Sequence, residues 1–266
     1  MEESRFSRRK GLAILGAAAG SALLGTSLAG VANAAPSVRR TAEVAPSMGD
    51  AQTLGTKYSL TVINNSSNIF DFCVYQQDPN LGVQDAKSLA WFSQKATPGT
   101  TLEFVWTIDY CFVWSATGVL KKGVTFTASQ TWDADPSVNF PTDPETMKAG
   151  NQVGFEYKGD NAYTFTSTPV KGAEAGTLYI SETTNIPLRQ ASIGIGMSGA
   201  GTFVVQSQPI LTRGFTPHPS YHLVAGSYEP GQVLDISAIT DSLDIPYSST
   251  FARTAILNLD NSWTLI

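Results

Sequence analysis

From Tyr58 onward the chain is a succession of short runs rich in β-branched and aromatic residues, each closed by Gly, Pro, Asn or Asp. YSLTVINNSS, FDFCVYQQDPN, TLEFVWTID, CFVWSATG, VGFEYKGDN and GTFVVQSQP are typical. Branched and aromatic side chains pack well on a pleated face, and the closing residues supply the backbone conformations that reverse a chain. Leu102, Phe104, Trp106 and Ile108 alternate with Glu103, Val105 and Thr107, a period of two with one apolar face. Phe155-Glu156-Tyr157 passes through Gly159-Asp160-Asn161 into Tyr163-Thr164-Phe165, and Ile256-Leu257-Asn258-Leu259 passes through Asp260-Asn261 into Trp263-Thr264-Leu265. Both read as β-hairpins, because Asp and Asn tolerate tight-turn geometry. The proline-rich spans at 135–144 and 216–219 belong in loops or on edges. No long stretch carries a helical period, and no fixed-length repeat suggests a propeller. The expected fold is all-β: an antiparallel two-sheet β-sandwich in one domain over residues 58–266, with a jelly roll or a barrel as variant closures.

The N-terminus has a different texture. Ser7-Arg8-Arg9-Lys10 precedes a mildly apolar run from Leu12 to Val31 that is built mainly from Ala and Gly, and Ala32-Asn33-Ala34 follows. A basic start, an apolar stretch and a small-x-small triplet are the three parts of a secretory signal. The paired Arg8 and Arg9 point to the twin-arginine route, with Ala32 and Ala34 marking cleavage before Ala35. An uncleaved anchor is the rival, since the run is long enough to span a bilayer. Residues 1–34 are thus read as a twin-arginine signal peptide and residues 35–57 as a flexible linker. The domain is expected outside the cytoplasm, extracellular or periplasmic, with no integral membrane segment after cleavage.

The whole chain carries a net charge of −5, and −7 without the four basic and two acidic residues of positions 1–34. An acidic domain lacks the clustered Lys and Arg that nucleic acids or anionic membranes require, so nucleic acid is excluded as a partner. The two cysteines, Cys73 and Cys111, either pair in an oxidising compartment or stay as buried thiols in neighbouring strands. Folding before twin-arginine export argues against a bond needed for folding. Two cysteines without a C-x-x-C, and only two histidines, do not make a zinc site.

Few segments suggest chemistry. Gly194-Ile195-Gly196-Met197-Ser198-Gly199 has the glycine spacing of a dinucleotide-binding turn, but it runs on into the strand Thr202-Phe203-Val204-Val205 where a helix is required. It reads better as a glycine-rich strand that another backbone approaches closely. Ala200 also breaks the match to a nucleophile elbow. His218 and His222 stand four apart and, with a carboxylate from elsewhere, can hold a transition metal or act as a base. The plainer reading, and the better one, is a proline-bracketed surface loop that happens to contain histidines. Asp133, Asp135, Asp143 and Glu145 fit no complete calcium loop. Asp109, beside Trp106 and Tyr110, is an acid among aromatics, a setting that raises a carboxyl pKa, or it marks a bend in a strand. The neighbouring Trp91, Phe92, Trp106, Tyr110, Phe112 and Trp114 form either core or an exposed stacking platform.

Several segments together resemble the RhiA family, the rhizosphere-expressed proteins of rhizobia and their bacterial relatives. They are YSLTVINNSS, YQQDPNLGVQDAKSLAWFSQ, WTIDYCFVWSATGVL, FTASQTWDADPSVNF, QASIGIGMSGAGTFVVQSQP and FTPHPSYHLVAG. The resemblance runs from about Tyr58 to the C-terminus and implies a shared β fold in a bacterium living with plants or in soil. These are strand and turn sequences, so no catalytic residue comes with them.

The functional expectation is an exported, non-enzymatic β-sandwich that acts by binding a surface or carbohydrate partner, without a cofactor or metal. His218, His222, Asp109 and Trp106 are its candidate binding residues. The alternative is a secreted enzyme or metalloprotein using His218 or His222 with a carboxylate. A third class is a membrane-active sandwich with an aromatic patch.

Overall fold

A computed structural model describes residues 57–137, 150–168 and 173–266. Arg8, Arg9, Ala32, Ala34, Asp143 and Glu145 lie outside the described residues, as do the signal and nearly all of the linker. In chain order the strands are β1 (Tyr58–Asn64), β2 (Phe70–Gln77), β3 (Lys87–Ser88), β4 (Phe92–Ala96), β5 (Thr101–Trp106) and β6 (Tyr110–Ser115). Next come β7 (Gln130–Ala134), β8 (Gln152–Gly159), β9 (Ala162–Thr166), β10 (Leu178–Glu182), β11 (Ser192–Met197) and β12 (Ala200–Gln206). The last are β13 (Thr212–Phe215), β14 (Ser220–Gly226), β15 (Leu243–Asp244), β16 (Ala252–Leu257) and β17 (Trp263–Leu265).

The all-β expectation holds, and the sheets do not close into a barrel. The strands divide over four sheets, ordered β17-β16-β1-β5, β15-β14-β2-β4, β3-β12-β11-β6-β7 and β13-β10-β8-β9. Two pairings, β1 with β16 and β8 with β10, are parallel; the others are antiparallel. Ring contacts across the sheets show which faces meet. Phe92 of β4 stacks on Phe104 of β5, and Phe72 of β2 meets Trp263 of β17 edge-on, so the β1 sheet packs on the β2 sheet. Trp114 of β6 meets Phe155 of β8, and Trp132 of β7 meets Phe165 of β9, so the β6 sheet packs on the β8 sheet. The result is two sandwich-like layers pairs rather than one. The first pair is built from both ends of the described chain, and the second from its middle.

The expected period is visible in the burial. Along β1 every second residue is buried and the others are half-exposed, as a strand with one face in a core requires. Strands β2 and β6 are buried on both faces, because the segment 228–239 crosses the outer side of their sheets. There Leu89, Val113, Phe126, Val204 and Val233 form one small cluster, and Tyr75, Ala90, Val224 and Leu234 form another. Both predicted hairpins are present. Asp160 and Asn161 turn β8 into β9, and Asn261 turns β16 into β17, each with positive φ.

The glycine-rich segment is strand β11 leading by a turn at Ser198 and Gly199 into β12, with a bulge between Ile195 and Gly196. A Cβ on Gly194 would sit 2.0 Å from the Phe203 carbonyl oxygen, and one on Gly196 2.0 Å from that of Ala200. Close backbone approach, as the sequence suggested, is why glycine stands at both positions.

Candidate functional site

One set of polar side chains lies on the outer face of the β2 sheet, where β14 lies between β2 and β15. In this antiparallel register Ser220 faces Gln77, and His222 faces Tyr75 on one side and Asp244 on the other. Directly opposed residues project to the same face. Ser220 and His222 are two apart on one strand, so they share that face as well. Beside them lies a cleft of about 420 Å³, whose lining includes Asp78, Asp85, Ser220 and His222, with Leu81, Val83 and Phe203 as apolar wall.

The loop after β2 shapes this cleft. Asp78 accepts a hydrogen bond from the Asn80 backbone N–H at 3.0 Å and another from the His218 backbone N–H at 2.5 Å. The Thr216 N–H reaches the Leu81 carbonyl at 2.9 Å. The β2–β3 connection and the segment before β14 are thereby tied together, which holds Ser220 at the cleft edge.

His222 is 8% exposed and its ring lies over that of Tyr75, centroids 5.2 Å apart and planes 20° from parallel. Nε2 is 2.9 Å from Ser220 Oγ. Asp244 Oδ1 stands 2.7 Å from Nδ1, but off the line of the ring N–H, so the contact is a close approach of a carboxylate to the ring rather than a linear hydrogen bond. Burial pushes the imidazole pKa below its ordinary value, and the Asp244 carboxylate opposes this. The carboxylate itself is open to water, which limits its pull. In the tautomer with its proton on Nδ1, on the Asp244 side, the Nε2 lone pair faces the serine. Ser220 Oγ also lies 3.0 Å from the Gln77 carbonyl, so one hydroxyl proton has two acceptors in reach.

The other candidates are scattered. His218 is exposed in the loop before β14, its Nδ1 3.3 Å from the Thr216 carbonyl, while His222 has Ser220 at Nε2 and Asp244 near Nδ1. Among the described residues no group of three His, Cys, Asp or Glu could hold a metal ion. Trp106 is fully buried between the first two sheets, against Tyr58, Trp91, Tyr221 and Tyr247. It belongs to the core, as do Trp91, Phe112 and Trp114, because sheet-on-sheet packing consumes this aromatic content. Asp109 is exposed at the start of β6; its carboxylate accepts the Thr107 hydroxyl at 2.5 Å and its carbonyl accepts the Ser198 N–H at 3.0 Å. It marks the bend between β5 and β6.

Cys73 and Cys111 are free and buried, under different parts of the 228–239 segment and in different sheets. The structure has them as buried thiols, although not in neighbouring strands as the thiol reading expected. Burial raises both pKa values, that of Cys111 to about 12. Away from the cleft, Glu182 of β10 is buried, with Oε1 accepting the Gln208 N–H at 2.7 Å and Oε2 3.4 Å from Arg213 Nε. Burial pushes this carboxyl up to about 7 against both partners. Sequence reading missed Ser220 and Asp244. A Ser-x-His spacing on a strand was the available signal for the first; the second lies 22 residues beyond His222 in a two-residue strand.

These features define an all-β protein of paired sheet layers with a polar cleft on one outer face. The chain belongs to the RhiA family, whose model matches residues 55–266. It is 38% identical over 215 residues to Protein RhiA of Rhizobium leguminosarum bv. viciae, covering 79% of this chain and 87% of that protein. No solved structure matches the chain. Among the described residues no helix is long and apolar enough to cross a membrane.

Proposed function

We propose that this RhiA-family protein is exported by the twin-arginine route and acts by binding a small, hydroxyl-rich molecule, a saccharide of plant or soil origin, in the cleft beside β14. The observation that carries the reading is the cleft's two-sided lining. Asp78, Asp85, Ser220 and His222 offer acceptors and donors on one side, and Leu81, Val83 and Phe203 offer apolar surface on the other. Sugars present both kinds of surface, and ligand sites combine an apolar lining with a few placed polar groups. The acidic charge and the carboxylates argue against an anionic ligand.

Titration calorimetry of the protein against neutral mono- and disaccharides tests the binding half. Heat is expected for the wild type and lost in Val83→Trp, which fills the cleft, with circular dichroism showing that the variant is folded at the titration temperature. Absence of heat across the series, or undiminished heat in the filled variant, removes the reading. For export, replacing Arg8 and Arg9 together by Lys is expected to leave an uncleaved precursor inside the cell. Normal export of that variant sinks the twin-arginine assignment.

A further inference from the structure

Ser220, His222 and Asp244 form a row across two neighbouring strands. Ser220 Oγ to His222 Nε2 is 2.9 Å, and His222 Nδ1 to Asp244 Oδ1 is 2.7 Å. Serine and histidine are in hydrogen-bond contact, and the carboxylate lies close to the far ring nitrogen although off its N–H line. A hydroxyl beside a base that a third group can orient is the arrangement of an activated nucleophile, whatever the fold that carries it. The row is placed by the sheet itself. The two-residue spacing on β14 sets serine beside histidine, the β14–β15 register sets Asp244 beside His222, and the Tyr75 ring holds the imidazole plane from below. Ser220 is exposed on the cleft wall, and His222, although buried, also lines the cleft.

We infer that this row is a nucleophilic site, at which Ser220 attacks the carbonyl carbon of a small uncharged ester held in the cleft. The inference shares the cleft with the binding reading and goes beyond it by adding chemistry there. As the Oγ–carbon bond forms, the hydroxyl proton passes to His222 Nε2 and the carbonyl electron pair moves to oxygen. Gln77, the cross-strand neighbour of Ser220, lines the same wall; its Nε2 donates to the Tyr75 hydroxyl at 3.4 Å and has a second N–H to offer that oxygen. Collapse of the tetrahedral intermediate breaks the bond to the alcohol, which leaves with the proton from His222. A water molecule then attacks the acyl-serine and gives a proton to His222, which returns it to Ser220 Oγ as the acyl–oxygen bond breaks and the acid leaves. Ester and water become acid and alcohol, with no other reactant.

Ser220 and His222 are the catalytic residues of this scheme, and Asp244 is a positioning residue that acts through the imidazole. A neutral imidazole is the form that accepts a proton, and burial holds His222 in that form at neutral pH. The charged or titratable groups around it are Asp244 on β15, Tyr75 on β2, and Asp78 and Asp85 in the cleft loop. Those carboxylates repel anionic substrates, while Leu81, Val83 and Phe203 suit a short acyl chain.

The test uses the full chain and an uncharged fluorophosphonate probe, followed by peptide mass mapping, with 4-nitrophenyl butyrate hydrolysis in parallel. The expected result is one phosphonyl group on Ser220, absent in Ser220→Ala, and hydrolysis reduced at least about 100-fold in that variant. Ser220 is exposed, so this variant folds even where His222→Gln does not. Asp244→Asn is expected to lower kcat with KM unchanged, and Asp244→Glu to restore part of it, a split that a purely structural role would not produce. An unlabelled Ser220, or a Ser220→Ala protein that hydrolyses the ester at the wild-type rate, overturns the inference. Saccharide binding together with an unlabelled Ser220 removes this inference alone; labelling at Ser220 without saccharide binding removes only the binding reading.

Discussion

Exchanging Glu182 for glutamine removes one ionisable group from a site where burial decides the charge. Its carboxyl is enclosed by β10 and the 207–213 segment, accepts the Gln208 N–H at 2.7 Å, and has Arg213 no nearer than 3.4 Å. Both partners favour the charged form, yet burial outweighs them and lifts the pKa from 4.5 to about 7. The folded protein therefore keeps a proton that the unfolded chain gives up between those two values. Stability from this group is complete below pH 4.5 and is lost as pH rises through about 7. Each unit is worth about 1.36 kcal/mol, so the loss is on the order of 3 kcal/mol. Glu182→Gln keeps an oxygen acceptor for Gln208 and cannot ionise, so it loses nothing over this range. Urea unfolding of both proteins at pH 4.5, 6 and 8 measures the effect. The variant's advantage should grow toward pH 8 by that amount, a midpoint shift of roughly 1 M or more for an m-value of about 1–3 kcal/mol/M. Parallel stability profiles across the three pH values would refute the reasoning.

Gly196→Ala places a Cβ 2.0 Å from the Ala200 carbonyl oxygen and should cost at least about 1–3 kcal/mol, read as a lower melting temperature. Trp106→Ala empties the middle of the first sheet pair and should cost about 3–5 kcal/mol in denaturant unfolding. Cys73 and Cys111 should resist a thiol reagent in the native protein and react together in urea; rapid native reaction of either contradicts their burial. His222 has the opposite linkage to Glu182. Its pKa is lowered, so the stability it contributes is complete above its unfolded value near 6.5 and is lost as pH falls through the folded one. Comparing Glu182→Gln with the double variant that also carries His222→Gln isolates this term, and equal acid sensitivity of the two would contradict it.

Local pattern carried the strand content: the alternation along Leu102, Phe104 and Trp106, and the Asp-Asn turns of both hairpins, are where sequence and structure agree most closely. Partner choice was not local. Nothing in ARTAIL says that it lies parallel to YSLTVIN, because that pairing is decided by which faces remain to be covered once the other strands have docked. The same limit hid the site. His222 was visible as a residue, but its character depends on Asp244 and Tyr75, which only the β14 register brings to it. Trp106 misled for a related reason: an aromatic cluster in sequence looks alike whether it lines a surface or fills the space between two sheets.

The parallel pairing of β1 with β16 has a consequence for synthesis. Roughly 190 residues separate the two strands, so at about 5–20 residues per second a ribosome needs on the order of 10–40 s to supply the second after the first. During that interval β1 can pair with β5 on one side while its other edge stands open, a template for any extended segment nearby. The nascent protein thus depends on its own late-made strand to retire an aggregation hazard created early. Chaperones that shield strand edges would matter most in that window, and variants that slow the arrival or docking of β16 should reveal themselves as lost soluble yield before they show any loss of equilibrium stability.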